Sequence, residues 1–144
     1  TDAMDLHVLD TETASVTKLM TGGVNPIFQN PRWMPDGSLL VLTIPGNRGA
    51  KPVESLTPSG PAIQDAAGGV EAQTRTYQDL LENPHDEALF EWLTTSQPVV
   101  MNADGSGMRA VGEPRIYTSV TPSPDGEYLL IDPGYYKPSQ LDTP

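Results

Sequence analysis

The chain has 144 residues, of which 37% are hydrophobic, with 15 prolines and 13 glycines. Eight Lys and Arg stand against 19 Asp and Glu, a formal charge of -11, which argues against nucleic acid because phosphate binding needs a basic face. There is no cysteine, and so no disulfide, no thiolate nucleophile and no Cys-based zinc site. The length suits one domain, and the density of turn-forming residues suits many short strands better than long helices. No apolar run is long enough to cross a bilayer as a helix. The chain begins at Thr1 and carries no basic-plus-apolar leader, so the expectation is a segment trimmed from a longer chain.

In chain order, residues 6–9 alternate and enter a corner, Asp10-Thr11-Glu12-Thr13-Ala14-Ser15, before a second short run ending near Leu19. Next comes Arg32-Trp33-Met34-Pro35-Asp36-Gly37-Ser38-Leu39-Leu40-Val41-Leu42. Proline presets the first turn angle, Asp bonds nearby backbone, and Gly accepts the left-handed exit, so this segment predicts a hairpin. Residues 45–97 then break the pattern. The part from 45 to 69 is rich in Pro, Gly and Ala and reads as loop. Further on, Tyr77, Leu80 and Leu81 share a helical face, and Ala88, Leu89, Trp92 and Leu93 form another. Asn83-Pro84-His85-Asp86-Glu87 predicts a helix start, with Asn as cap, Pro in the first turn and acids over the positive end. The acids Asp79, Glu82, Asp86, Glu87 and Glu91 form a solvated face, and Trp33 and Trp92 are expected to pack in the core.

The strand pattern then resumes. Residues 98–101 are expected to alternate as 6–9 do, and lead into Met101-Asn102-Ala103-Asp104-Gly105-Ser106-Gly107-Met108, which matches the position of the first corner. Thr121-Pro122-Ser123-Pro124-Asp125-Gly126-Glu127-Tyr128-Leu129-Leu130-Ile131 aligns without a gap on residues 32–42. A repeated hairpin in an all-β setting points to a β-propeller, a ring of four-stranded blades. With blade strands lettered A to D, the chain is expected to hold C and D of one blade, a whole second blade, and A and B of a third. The fold class is thus all-β with a small helical insertion: residues 1–144 are a partial propeller, interrupted at 45–97 between strands B and C. A ring needs roughly 4–8 blades. About two blades' worth of strands cannot close, and their open edges invite self-association.

The combination of Pro-Arg-Trp-Met-Pro-Asp-Gly (31–37), Pro-Gly-Asn-Arg-Gly (45–49), Thr-Tyr-Gln-Asp-Leu-Leu (76–81) and Ser-Pro-Asp-Gly-Glu-Tyr-Leu-Leu (123–130) resembles the propeller of the prolyl oligopeptidase family of serine peptidases, in its glutamyl endopeptidase branch. The likeness runs from about residue 6 to 130. Beyond Ile131, Asp132-Pro133-Gly134-Tyr135-Tyr136-Lys137 departs from the longer B strand that the family would show. The Ser-Pro-Asp-Gly and Asn-Ala-Asp-Gly-Ser-Gly elements alone are shared by TolB-like propellers, so an interaction scaffold with no peptidase attached is the alternative reading. The resemblance implies a segment that gates peptide access to an α/β-hydrolase domain absent from this chain, in a parent that cleaves after Glu. It implies that domain, the remaining blades and peptide substrates as partners; the acidic charge and short apolar runs add the expectation of no nucleic acid and no membrane. It leans towards an exported, periplasmic or organellar compartment over the cytoplasm.

The segment itself is not expected to catalyse. No Gly-x-Ser-x-Gly elbow occurs, Gly105-Ser106-Gly107 falls in a turn, and the two histidines, His7 and His85, lie in unrelated contexts. Asn102-Ala103-Asp104-Gly105-Ser106 has too few carboxylates for a calcium loop, so neither metal nor cofactor is expected. The candidate site residues are Arg48 and Lys51, close together in Pro45-Gly46-Asn47-Arg48-Gly49-Ala50-Lys51. If the parent selects Glu, a guanidinium offering paired donors is the natural partner for the substrate carboxylate.

Overall fold

The computed structural model describes residues 3–54, 81 and 83–134. The strands are β1 (Met4–Leu9), β2 (Val16–Val24), β3 (Arg32–Trp33), β4 (Leu39–Thr43), β5 (Thr95–Met101), β6 (Arg109–Ala110), β7 (Arg115–Pro122) and β8 (Leu129–Pro133), with helix α1 (Pro84–Thr94) between β4 and β5. The described structure is therefore mostly β, with one short helix. The helical face expected at Tyr77 and Leu80, the acids Asp79 and Glu82, and the 55–69 part of the loop lie outside the described residues. Leu81 is half-buried and in no regular element.

All pairings are antiparallel, and the strands join into one open sheet in the order β1-β2-β4-β5-β7-β8, with β3 on β4 and β6 on β5. The joints are uneven. β4 and β5 pair over five residues, Leu39↔Met101 to Thr43↔Gln97, although residues 44–94 separate them. β2 meets β4 at the single pair Val24↔Thr43, and β5 meets β7 only at Thr95↔Ile116 and Ser96↔Arg115. The described strands thus divide into a hairpin (β1–β2), a four-stranded unit (β3–β6) and a second hairpin (β7–β8).

Those narrow joints let the hairpins fold over the two faces of the central unit. Side chains alternate along a strand, so Leu40, Leu42 and Val100 face one way and Leu39, Val41, Val99 and Met101 the other. The first set packs with Tyr117 and Val120 of β7, and with Met34 and half-buried Leu129. The second packs with Val24 and half-buried Leu6, Val8, Leu19 and Met20 of β1–β2. All five β4 residues are buried, as are the last four of β5. That explains why β4 reads as a continuous apolar run and why residues 98–101 do not alternate in burial: water reaches neither face.

The corners form as the turn residues require. Gly37 and Gly126 adopt φ of 81° and 75°, which only glycine accepts without strain. Each donates its N–H three residues back, to the carbonyls of Met34 and Ser123. The two copies nonetheless differ in register. Met34 N–H is bonded to the Ser38 carbonyl, whereas Ser123 N–H is bonded to the Tyr128 carbonyl. The second turn holds Glu127 as an extra residue, so the gap-free sequence alignment is one residue out of step with the pairing. The strand also continues past Ile131, because Asp132 and Pro133 still pair with Ser119 and Tyr117.

Trp33 is not core: it is 57% exposed on the short strand β3, and Trp92 is half-buried on α1. β3 pairs with β4 over only two residues, and the indole stays largely exposed.

Leu40 is 0% exposed and Leu130 is 75% exposed. Leu40→Ala is expected to cost about 2–5 kcal/mol of stability, whereas Leu130→Ala stays within about 0.5 kcal/mol. Denaturant unfolding of the two variants checks this. The turn carboxylates add a pH signature. Asp36 and Asp125 are held below the ordinary carboxylate value, first by the hydroxyls of Ser38 and Ser123. Hydrogen bonding to Ser106 does the same for Asp104, and the Thr13 N–H leads for Asp10. A lowered folded pKa stabilises above the unfolded value of 3.8 and is lost as pH falls through the folded value. Stability should therefore be flat above about pH 5 and fall steadily below 3.8, and Asp36→Ala should flatten that acid limb in pH-dependent urea unfolding.

Candidate functional site

The 34–38 and 102–106 turns meet at one end of the β4–β5 pair, where Leu39 pairs with Met101, and Gly126 of the 123–128 turn lies beside Pro35. At the other, connection end, Thr43 pairs with Gln97, Asn25 bonds the carbonyls of Leu93 and Thr95, and Pro114 lies near Pro45 and Arg48. The candidate residues lie at the connection end.

Helix α1 begins as the sequence predicts. Asn83 is the cap, its side-chain oxygen accepts from Asp86 N–H at 2.9 Å, Pro84 opens the first turn, and Asp86 and Glu87 lie over the positive end. The other end of the helix is tied to the sheet by a residue that the sequence reading passed over. Asn25 is 5% exposed, and its amide donates to the carbonyls of Leu93 (2.9 Å) and Thr95 (3.2 Å). Its own N–H donates to the Leu42 carbonyl. One residue thus joins the end of β2, β4 and the junction of α1 with β5. The only sequence signal was the turn pair Asn25-Pro26, which marks a corner and not a cap for a helix 58 or more residues away in sequence.

Arg48 sits in a tight turn, with its N–H bonded to the Pro45 carbonyl at 3.1 Å. Its guanidinium carbon lies 3.3 Å from the centroid of the Trp92 ring, and its Nε donates to the Trp92 carbonyl at 2.7 Å. The indole N–H in turn donates to the Gly49 carbonyl at 3.3 Å. Three contacts between one arginine turn and one tryptophan therefore lock the 45–49 loop onto α1. The expectation of core packing for Trp92 is replaced by a stack on a cation, which an indole face favours electrostatically.

Beside this stack is a cavity of about 320 Å³, lined by Pro45, Pro52, Trp92 and Pro114 together with Asn47, Arg48 and Glu91. The structure separates the two predicted site residues: Arg48 lines the cavity, whereas Lys51 is exposed and outside its lining. Close by, burial pushes the Tyr117 phenol above its ordinary pKa, and its hydroxyl donates to the Glu113 carbonyl at 2.6 Å. Gly112 permits that approach, since a Cβ there would lie 2.8 Å from the hydroxyl.

The remaining motifs lie elsewhere. His7 is on β1 and His85 on α1. Ser106 is held in the 102–106 turn, its N–H donating to Asp104 and its hydroxyl paired with the Asn102 amide. That is a hairpin turn and not a strand-to-helix elbow. Among the described residues no group of three or more His, Asp or Glu could hold a metal ion, and no helix is long and apolar enough to cross a membrane.

Two curated plant proteins are similar to the chain over most of its length. It is 40% identical over 129 residues to a protein of Oryza sativa subsp. japonica named "Probable glutamyl endopeptidase, chloroplastic". It is 39% identical over 127 residues to one of the same name from Arabidopsis thaliana. The matches cover 88% and 86% of this chain. The chain spans only 14% and 13% of those relatives' lengths. No family model and no solved structure matches the chain.

Arg48→Ala removes the stack and the bond to the Trp92 carbonyl together, and is expected to cost about 1–2 kcal/mol. Lys51→Ala should stay within about 0.5 kcal/mol. Thermal unfolding compares the two, and a red shift of Trp92 emission in Arg48→Ala with Trp33 replaced by Phe reports the loosened loop.

Proposed function

We propose that this chain is a propeller segment of a glutamyl-endopeptidase-like serine peptidase of the prolyl oligopeptidase family, and that it regulates peptide access to an α/β-hydrolase domain lying outside these residues. The observation that carries the reading is the 40% identity over 129 residues to a protein bearing the glutamyl endopeptidase name. The arrangement of hairpin, four-stranded unit and hairpin supports it, since each unit packs on the next as blades do. The relatives' chloroplastic designation favours an organellar compartment for this chain too.

In this reading the connection end faces the substrate. Helix α1, with the 45–49 loop locked on it, forms part of the rim of the entrance. Arg48, its plane set by Trp92, and Lys51 further along the same loop draw acidic peptides towards it. The chemistry of bond cleavage belongs to the hydrolase domain, so the 144-residue chain alone is inactive on peptides.

The coding sequence downstream of Pro144 gives the first test. An α/β pattern with Gly-x-Ser-x-Gly supports the peptidase, and further blades followed by a stop would replace it with a TolB-like interaction scaffold. In the full-length protein, Arg48→Ala is expected to lower kcat/KM for a Glu-containing peptide about 10- to 100-fold relative to its Gln analogue. Arg48→Lys, which keeps the charge and loses the stack, should lose less. Unchanged discrimination between the two peptides in both variants would remove Arg48 from the substrate path.

A further inference from the structure

The cavity beside Arg48 has two walls of different origin. One belongs to α1, where Ala88, Glu91 and Trp92 stand at i, i+3 and i+4 on one face, with Thr95 just past the helix end. The other is built by the loop that follows β4, which contributes Pro45 and Arg48, and by Pro114 ahead of β7. Every lining residue lies between 45 and 114, so neither the first nor the last hairpin takes part.

Both walls are fixed before any ligand arrives. Proline sets φ at three points of the lining, residues 45, 52 and 114. The helix is held at its start by the Asn83 cap and at its end by the Asn25 amide. Arg48 then ties loop to helix through its stack on Trp92 and its bond to the Trp92 carbonyl. A preformed cavity binds without the entropy cost of ordering its walls. Its volume of about 320 Å³ is roughly twice the ~150 Å³ that holds a benzene ring, and stands at the small end of ligand pockets. That is room for about one or two side chains.

The lining is apolar over the prolines, Ala88 and the indole, and its two charges are split between the walls: Arg48 on the loop, Glu91 on the helix. A carboxylate is favoured beside Arg48. A second acid reaching into the cavity would meet the like charge of Glu91, whereas an uncharged apolar side chain loses contact with water against the prolines. We infer that the cavity is a subsite for an apolar side chain next to a Glu in an extended peptide, and that Glu91 turns away runs of acidic residues. This deepens the reading of Arg48 as the group that draws acidic peptides and rests on it for the Glu; the choice of neighbour rests on the lining of the cavity.

Three blocked tripeptides, Leu-Glu-Leu, Ser-Glu-Ser and Glu-Glu-Glu, test it on the full-length protein. Saturation-transfer NMR follows their binding, and mass spectrometry of the recovered peptide verifies that each stays intact. Leu-Glu-Leu is expected to bind about tenfold more tightly than either of the others. Ala88→Phe fills the cavity from an exposed helix position and should abolish the advantage of Leu-Glu-Leu over Ser-Glu-Ser. Glu91→Gln should keep that advantage and strengthen Glu-Glu-Glu about threefold. Circular dichroism with thermal unfolding verifies that both variants fold. Equal affinities in the unaltered protein, or an advantage that survives Ala88→Phe, overturn the subsite, and unchanged Glu-Glu-Glu binding in Glu91→Gln overturns the role of Glu91. A peptidase assay keeps the two readings apart. Cleavage after Glu with no preference for the neighbour overturns the subsite and leaves the peptidase, whereas the preference without cleavage supports the subsite on a scaffold.

Discussion

Burial of β4 and β5 on both faces is the constraint from which the rest of this structure follows. A two-residue strand such as β3 or β6 holds little by itself; what holds the centre is five residues of β4 against five of β5, with no water on either side. Such a pair needs two covers, and the chain supplies them as the hairpins that precede and follow it. The covers must tilt to reach the faces, and this is why β2/β4 and β5/β7 keep only one and two pairs. Wider pairing would flatten the sheet and expose Leu40 and Val41.

The same topology sorts the molecule into two chemically different ends. In the hairpin turns, short polar side chains bond their own backbone, and N–H and hydroxyl donors hold Asp10, Asp36, Asp104 and Asp125 below the ordinary carboxylate value. These groups are fully engaged in making corners. At the connection end the chain has longer stretches to place, and it anchors them with side chains far apart in sequence. Asn25 fastens the end of α1, Arg48 and Trp92 clamp the loop to the helix, and Gln29 accepts from Val120 N–H at 2.7 Å. Variation in the connections can reshape that end without touching the core, and that end holds the cavity beside Arg48.

Local chemistry was legible in the residues themselves. Pro-Asp-Gly made both hairpins, Asn83-Pro84 started α1, and the spacing of corners gave the order of strands, because each depends on a few adjacent side chains and their own backbone. The extra residue in the second turn was not legible, since Pro124-Asp125-Gly126 is compatible with either pairing and the choice falls to which of Leu129 and Leu130 packs inward. The two tryptophans show the same limit. Each sits in an apolar pattern, but the pattern does not say whether another element arrives to cover it: Trp33 stays 57% exposed, and a cation stacks on Trp92.

By itself the sequence determined a β-rich chain of repeated hairpins with a helical insertion in the middle, since turn geometry and capping are set within a handful of residues. It also singled out Arg48 as one of few cations in an acidic chain. Only the tertiary structure decided that Arg48 stacks on Trp92 and that Lys51 stands apart. Nor could the sequence place Asn25, which bonds carbonyls some seventy residues away. Those contacts join residues that the chain brings together only after β4 and β5 have paired across the long connection, and no local pattern encodes such a meeting.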